Sequence, residues 1–234
     1  MKTLVESIFD DDLVSKKPFK YSPKTKDELI NAIKKELKLQ GSNANLNIID
    51  VSKVKDMSKL FLEVIKDLGL DIVGNIDISK WNVSNVTNMS HMFFKCRNFN
   101  SDLSKWDVSN VEDMNNMFSF CIKFNSDLSK WNVGKVIDMY GMFYKCRNFN
   151  SDLSKWNVGK VRYMSYMFCG CNKFNSDLSK WNVSEVNDME NMFSYCNKFN
   201  SDLSKWNVSN VIDMRDMFDS CGSLKKIPSW YTLV

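Results

Sequence analysis

The chain has 234 residues, 44% hydrophobic and 26% charged, enough apolar residues for a sizeable core, so that it reads by composition as neither disordered nor membrane-spanning. Charge is even along it: residues 1–75 hold 13 basic and 12 acidic groups and residues 76–234 hold 19 and 16, so no polybasic arm points to nucleic acid or an anionic membrane. A single histidine, His91, removes most imidazole-based metal and acid–base chemistry, whereas 14 Met, 7 Trp, 7 Cys and 16 Phe call for an explanation.

Residues 1–46 read as an N-terminal arm and a capping helix. The first twenty are weakly patterned: Glu6 and Asp10-Asp11-Asp12 interrupt any apolar h-region, so no signal peptide is recognised and an intracellular location is expected. Seven cysteines, an odd number, are then expected as thiols. Thr25-Lys26-Asp27-Glu28 is a capping box, and Leu29, Ile30, Ile33 and Leu37 continue at helical spacing to Gly41.

Residues 47–76 form a degenerate first repeat. Ile49 to Phe61 aligns with Trp81 to Phe93, Ile49 standing for a Trp and Leu60 for a Met. The offset of 32 leaves seven extra residues to be placed within Leu62–Ile76.

Residues 77–226 are six units of 25 residues, of the form D-L-S-K-W-N-V-S-N-V-x-D-M-x-x-M-F-x-x-C-x-K-F-N-S. Trp81, Trp106, Trp131, Trp156, Trp181 and Trp206 form one column; Cys96, Cys121, Cys146, Cys171, Cys196 and Cys221 form another. Met114, Met117, Phe118 and Cys121 follow i, i+3, i+4, i+7, which predicts a short helix N-capped by Ser109 or Asn110. Asp102–Val108, with Leu103, Trp106 and Val108 inward, predicts a short strand. One strand and one short helix cannot bury their own apolar side, so an α/β repeat solenoid with parallel strand pairing is expected. Residues 227–234 form a C-terminal cap in which Pro228, lacking an amide donor, suits an unpaired end.

These columns read as core ladders rather than a cofactor or metal array, since metal sites want paired ligands and only Cys169 and Cys171 lie close together. The Asn column, Asn100 to Asn200, is expected to satisfy turn backbone groups. Asp102 and Lys105 begin parallel charge columns that are expected to relieve each other. No cofactor, catalytic residue or metal site is expected: no nucleophile–base pair, P-loop or dinucleotide fingerprint is present, and equivalent carboxylates in a column do not make an acid–base pair.

The string Met117-Phe118-Ser119-Phe120-Cys121-Ile122-Lys123-Phe124 resembles the A-F-x-x-C-x-x-L core of BspA-type leucine-rich repeats. The longer W-[ND]-V-S-N-V-x-[ND]-M-x-x-M-F string is similar to the 25-residue variant of mycoplasma lipoprotein-associated, bacterial surface and giant-virus proteins. The resemblance covers residues 77–231 and implies a right-handed leucine-rich-repeat-like fold, adhesion or protein–protein interaction, and no catalytic residues. Members of this kind are commonly exported, whereas this chain shows no lipobox.

Positions that differ between units are where a partner should be read. Tyr140, Tyr144, Lys145, Arg147, Arg162, Tyr163 and Tyr166 in units three and four make the candidate partner-binding patch, because Tyr and Arg supply rigid area with a polar handle. The alternative is that these aromatics only cover one another. The function expected is a non-enzymatic protein–protein interaction scaffold with a protein partner, without nucleic acid or membrane insertion. The alternatives are a structural or self-associating virion or matrix component and a surface adhesin, virion-associated or at the cell surface by a non-standard route.

Overall fold

In each 25-residue unit the polypeptide makes a series of tight turns, and one parallel backbone bridge per unit marks the register with the next. These bridges link Asp56, Asn88, Asp113, Asp138, Tyr163, Asp188 and Asp213 in succession. The computed structural model describes residues 19–69 and 72–231; the arm expected over 1–20 therefore lies outside it except for Phe19 and Lys20, as do the last three residues of the expected C-terminal cap.

Two helices are present among the described residues, and neither belongs to a regular unit. α1 (Lys26–Gln40) is N-capped by Thr25, whose side chain accepts from the Glu28 amide at 3.2 Å, and stops at Gly41 with φ 79°. Its buried face, Leu29, Ile30, Ala32, Ile33 and Leu37, joins the core shared with the units. Glu36 is buried on this face and takes hydrogen bonds from Lys20, Tyr21 and Gln40. Burial alone would raise its carboxyl, but those donors bring it down to about 2.

α2 (Leu60–Leu68) packs against α1 and runs from the aligned Leu60 and Phe61 into the stretch that holds the seven extra residues of the degenerate unit. Its Leu60, Phe61, Val64 and Ile65 are buried. The added length lets one stripe close on itself here, and the cross-unit bonding of the repeats continues back into this unit through Met57 and Phe61, whose amides donate to Asn88 and Met92. Neither helix is long and apolar enough to cross a membrane.

The helix and strand expected in each regular unit are not formed among the described residues. The reason is an alternation of amide directions. In the second unit the amides of Met114, Asn116, Phe118 and Phe120 donate at 2.7–3.0 Å to carbonyls of Asp138, Tyr140, Met142 and Tyr144 in the next unit. The intervening Met117, Ser119 and Cys121 close local bonds to Met114, Asn116 and Phe118. A helix would spend all of these donors inside the unit. The alternation requires Asn116 and Phe120 to be left-handed, with φ 52° and 63°, and the equivalent residues of every regular unit are left-handed too. Asn110 is not a helix cap: its side-chain amide donates to the Ser84 carbonyl of the preceding unit at 2.8 Å.

The Asp102–Val108 segment is turned rather than extended. Asp102 accepts the Ser104 amide at 2.9 Å in an Asx-turn, a bond repeated at Asp127, Asp152, Asp177 and Asp202. These bonds, side chain and backbone from the serine, hold the Asp102 carboxyl below its usual range. Among the described residues no ion pair joins the Asp102 and Lys105 columns; the serine hydrogen bonds act first on the stacked carboxylates, and the charges of the lysine column act in the same direction without contact.

Inward side chains register in columns. Successive Trp rings stack at 6.4–6.5 Å where Trp81 meets Trp106, Trp131 meets Trp156 and Trp156 meets Trp181. Each indole N–H donates to a carbonyl of the preceding unit, as Trp156 does to Leu128 at 2.9 Å. Trp230 extends the column: it stacks on Trp206 at 6.3 Å and donates to Leu203, despite its one-residue break in register. Phe118 stacks on Phe143 at 5.7 Å and, within its own unit, on Phe124 at 4.1 Å. Column cysteines from Cys121 onward donate Sγ to the preceding unit, as Cys146 does to Phe118 at 2.9 Å, and burial pushes the thiols of Cys96 to Cys196 well up. On the outside, Asn125 donates its amide to Asn100 Oδ1 at 2.7 Å and Asn150 repeats this on Asn125. A buried serine column lies beside it, Ser126 Oγ accepting the Leu103 amide at 2.9 Å.

Because an interior ring is stacked on both sides and a terminal one on a single side, Phe168→Ala is expected to cost about 3–5 kcal/mol and Phe218→Ala distinctly less. Urea denaturation of the two variants tests this, and equal losses would contradict the column description.

Candidate functional site

Most of the strongly varying positions of a unit fall in the stretch equivalent to Glu112–Lys123, the same stretch whose amides bond across units. Its left-handed residues direct side chains off the core, which brings several of the variable residues to one face. There an open groove of about 360 Å³ is lined by His91, Phe94, Asn116, Ser119, Phe120, Tyr140, Gly141, Tyr144 and Tyr166.

The groove walls are rings set edge to face. Phe94 meets Phe120 at 5.8 Å, Phe120 meets Tyr144 at 5.1 Å and Tyr144 meets Tyr166 at 6.1 Å, each near perpendicular. Tyr140 leans on Tyr166 at 5.8 Å. Gly141 opens the floor: at φ 55°, a Cβ there would stand 2.6 Å from Asn116 Oδ1. Ser119 is fully buried beneath the groove and its hydroxyl has no hydrogen-bond partner, nor has His91 Nδ1.

Cations already sit on part of this surface. Lys95 Nζ lies 5.2 Å from the Phe94 ring centre, and Lys145 Nζ lies 5.3 Å from that of Phe120 and 5.0 Å from that of Tyr144. On the other side Tyr166 donates to Glu190 Oε1 at 2.8 Å, which pushes its phenol up to about 12. Burial, then Glu190 and Asp188, raise Tyr140. Asp113, on the bridge line, is raised by burial and by Asp138 alongside.

Of the seven patch residues expected from sequence, Tyr140, Tyr144 and Tyr166 meet in the groove and Lys145 covers its rim. Arg147 lies beside Lys145 in a neighbouring hollow with Cys169, Gly170 and Tyr195. Arg162 sits apart, in a hollow with Ile137, Lys160 and Glu185. Tyr163 is exposed on the bridge line, in place of the aspartate of most other units. His91, Phe94, Phe120 and Gly141 were not legible as members; the signal was that all four lie at varying columns, two of which are the left-handed positions. No three His, Cys, Asp or Glu side chains converge as metal ligands among the described residues.

His91 carries a pH dependence. Burial, then the Lys59 charge, lowers its pKa from 6.5, against opposing pulls from Asp113 and Asp138. The folded state thus resists a proton that the unfolded chain takes up, so its contribution is present above about pH 6.5 and is lost on acidification through that value. Urea midpoints at pH 7.5 and 5.5 should fall more for wild type than for His91→Asn, the residue found at the equivalent Asn116 and Asn191. Equal falls would contradict the assignment.

No curated protein and no solved structure matches the chain. Three overlapping segments, residues 30–138, 71–168 and 151–232, match one family, described as Mycoplasma protein of unknown function, DUF285. The matches overlap as tandem repeats would, and together they span most of the described residues. The chain belongs to this family of tandem-repeat proteins of unknown function.

Proposed function

We propose that the chain is a non-enzymatic protein-binding scaffold: a right-handed, leucine-rich-repeat-like solenoid whose variable face engages a protein partner. The observation that carries this reading is the segregation of roles within each unit. Trp, Phe, Met, Cys, Ser and Asn columns are spent on packing and on hydrogen bonds between units, while the residues that line the open aromatic groove all stand at positions that differ between units. Repeat arrays present extended surfaces of this type, and tyrosines with little rotamer freedom are efficient contact residues. Tyr140, in the groove wall, is 39% exposed, more than packing between neighbours requires.

The groove gives the sharper variant. Capture from a lysate of the source cell, with the full chain immobilised, should lose its bound protein when Tyr140→Ser and Tyr144→Ser are combined. The pair Arg162→Ala and Tyr163→Ser, outside the groove, should retain it. Both double variants should keep a thermal transition close to wild type. An unchanged bound set with the groove variant, or no saturable protein ligand for wild type, would refute the proposal.

A further inference from the structure

We infer that the Tyr140–Tyr166 wall, backed by Glu190, is the seat for an arginine side chain of the partner protein; this rests on the protein-binding reading above and specifies its chemistry. The groove already shows what its rings accept. Lys145 Nζ is placed over both Phe120 and Tyr144 at 5.3 and 5.0 Å, and Lys95 Nζ over Phe94 at 5.2 Å. Among the described residues, no lysine or arginine covers Tyr140 or Tyr166. At the column position of Lys95 and Lys145, unit four has Gly170, which supplies no cation to that wall.

Geometry and charge favour a planar cation there. The two rings stand 5.8 Å apart at 57°, giving a ledge with a second wall in Tyr144 at 88° to Tyr166. Glu190 is held beside it by the Tyr166 hydroxyl at 2.8 Å and by Asn191 Nδ2 at 3.3 Å, both bonds falling on Oε1. Oε2 is left with no hydrogen-bond partner among the described residues and is available to an incoming donor. A guanidinium stacks on an aromatic face while its edge hydrogen-bonds a carboxylate, which an ammonium does less well.

The test uses the full chain labelled on tyrosine rings and two peptide probes, acetyl-Gly-Arg-Gly-amide and its neutral citrulline analogue, followed by NMR titration. The arginine peptide should shift the Tyr140 and Tyr166 signals saturably, at least tenfold more tightly than the citrulline peptide. Glu190→Gln, which keeps an acceptor for Tyr166, and Tyr140→Ala should each weaken the arginine peptide several-fold. Equal response to both peptides, or no effect of Glu190→Gln, overturns the inference. If the arginine peptide fails while the Tyr140/Tyr144 variant still loses the captured protein, the cation seat is wrong and the binding face stands. Loss of both refutes the two together.

Discussion

Every regular unit but the last depends on one constraint: alternate amides of the Met–Cys stretch must leave their own unit and bond the next one. A chain of right-handed residues cannot do this, because it turns each amide back onto its own carbonyls. Left-handed residues at two positions per unit turn the donors outward, at about 1 kcal/mol each for a non-glycine side chain. The four cross-unit bonds of a unit such as Met114–Cys121 offset that cost. Once they form, the next unit is held at one fixed position, and the 25-residue period follows.

The columns are the consequence of that fixed position. With backbone register set, the ring of Phe143 meets Phe118 and Phe168 in the units on either side, and the indole of Trp156 reaches the Leu128 carbonyl. Such contacts tolerate little change in shape, which is why inward positions hardly vary among the units. Outward positions carry no such demand. The left-handed columns, His91-Asn116-Gly141-Tyr166-Asn191-Asp216 and Lys95-Phe120-Lys145-Gly170-Tyr195-Ser220, differ at nearly every unit, and the aromatic groove is built where they accumulate rings and a glycine.

Much of this was legible from residue order. The period, the buried columns, the degenerate unit before Asp77 and the helix capped by Thr25 all follow from spacing and capping chemistry. The conformation inside the unit did not. Met114, Met117, Phe118 and Cys121 have helical spacing because two tight turns closed by i to i−3 bonds also return the chain to one side after three or four residues. Periodicity alone does not separate the two, and Phe120 or Tyr166 gives no hint of positive φ, since bulky residues seldom adopt it. The candidate site was half legible for the same reason: tyrosines in units three and four were visible as exceptions, but only the backbone shows that Tyr163 and Arg162 face elsewhere while Phe94 and Phe120 join Tyr144.

The most direct test of the cross-unit ladder is a measurement of scalar couplings through hydrogen bonds in the deuterated, nitrogen- and carbon-labelled protein. The account predicts a coupling between the Phe118 amide nitrogen and the Met142 carbonyl carbon, with an equivalent between Phe143 and Met167. A coupling from Phe118 to Met114 instead would mean that each unit closes its amides in a helix, and would contradict it.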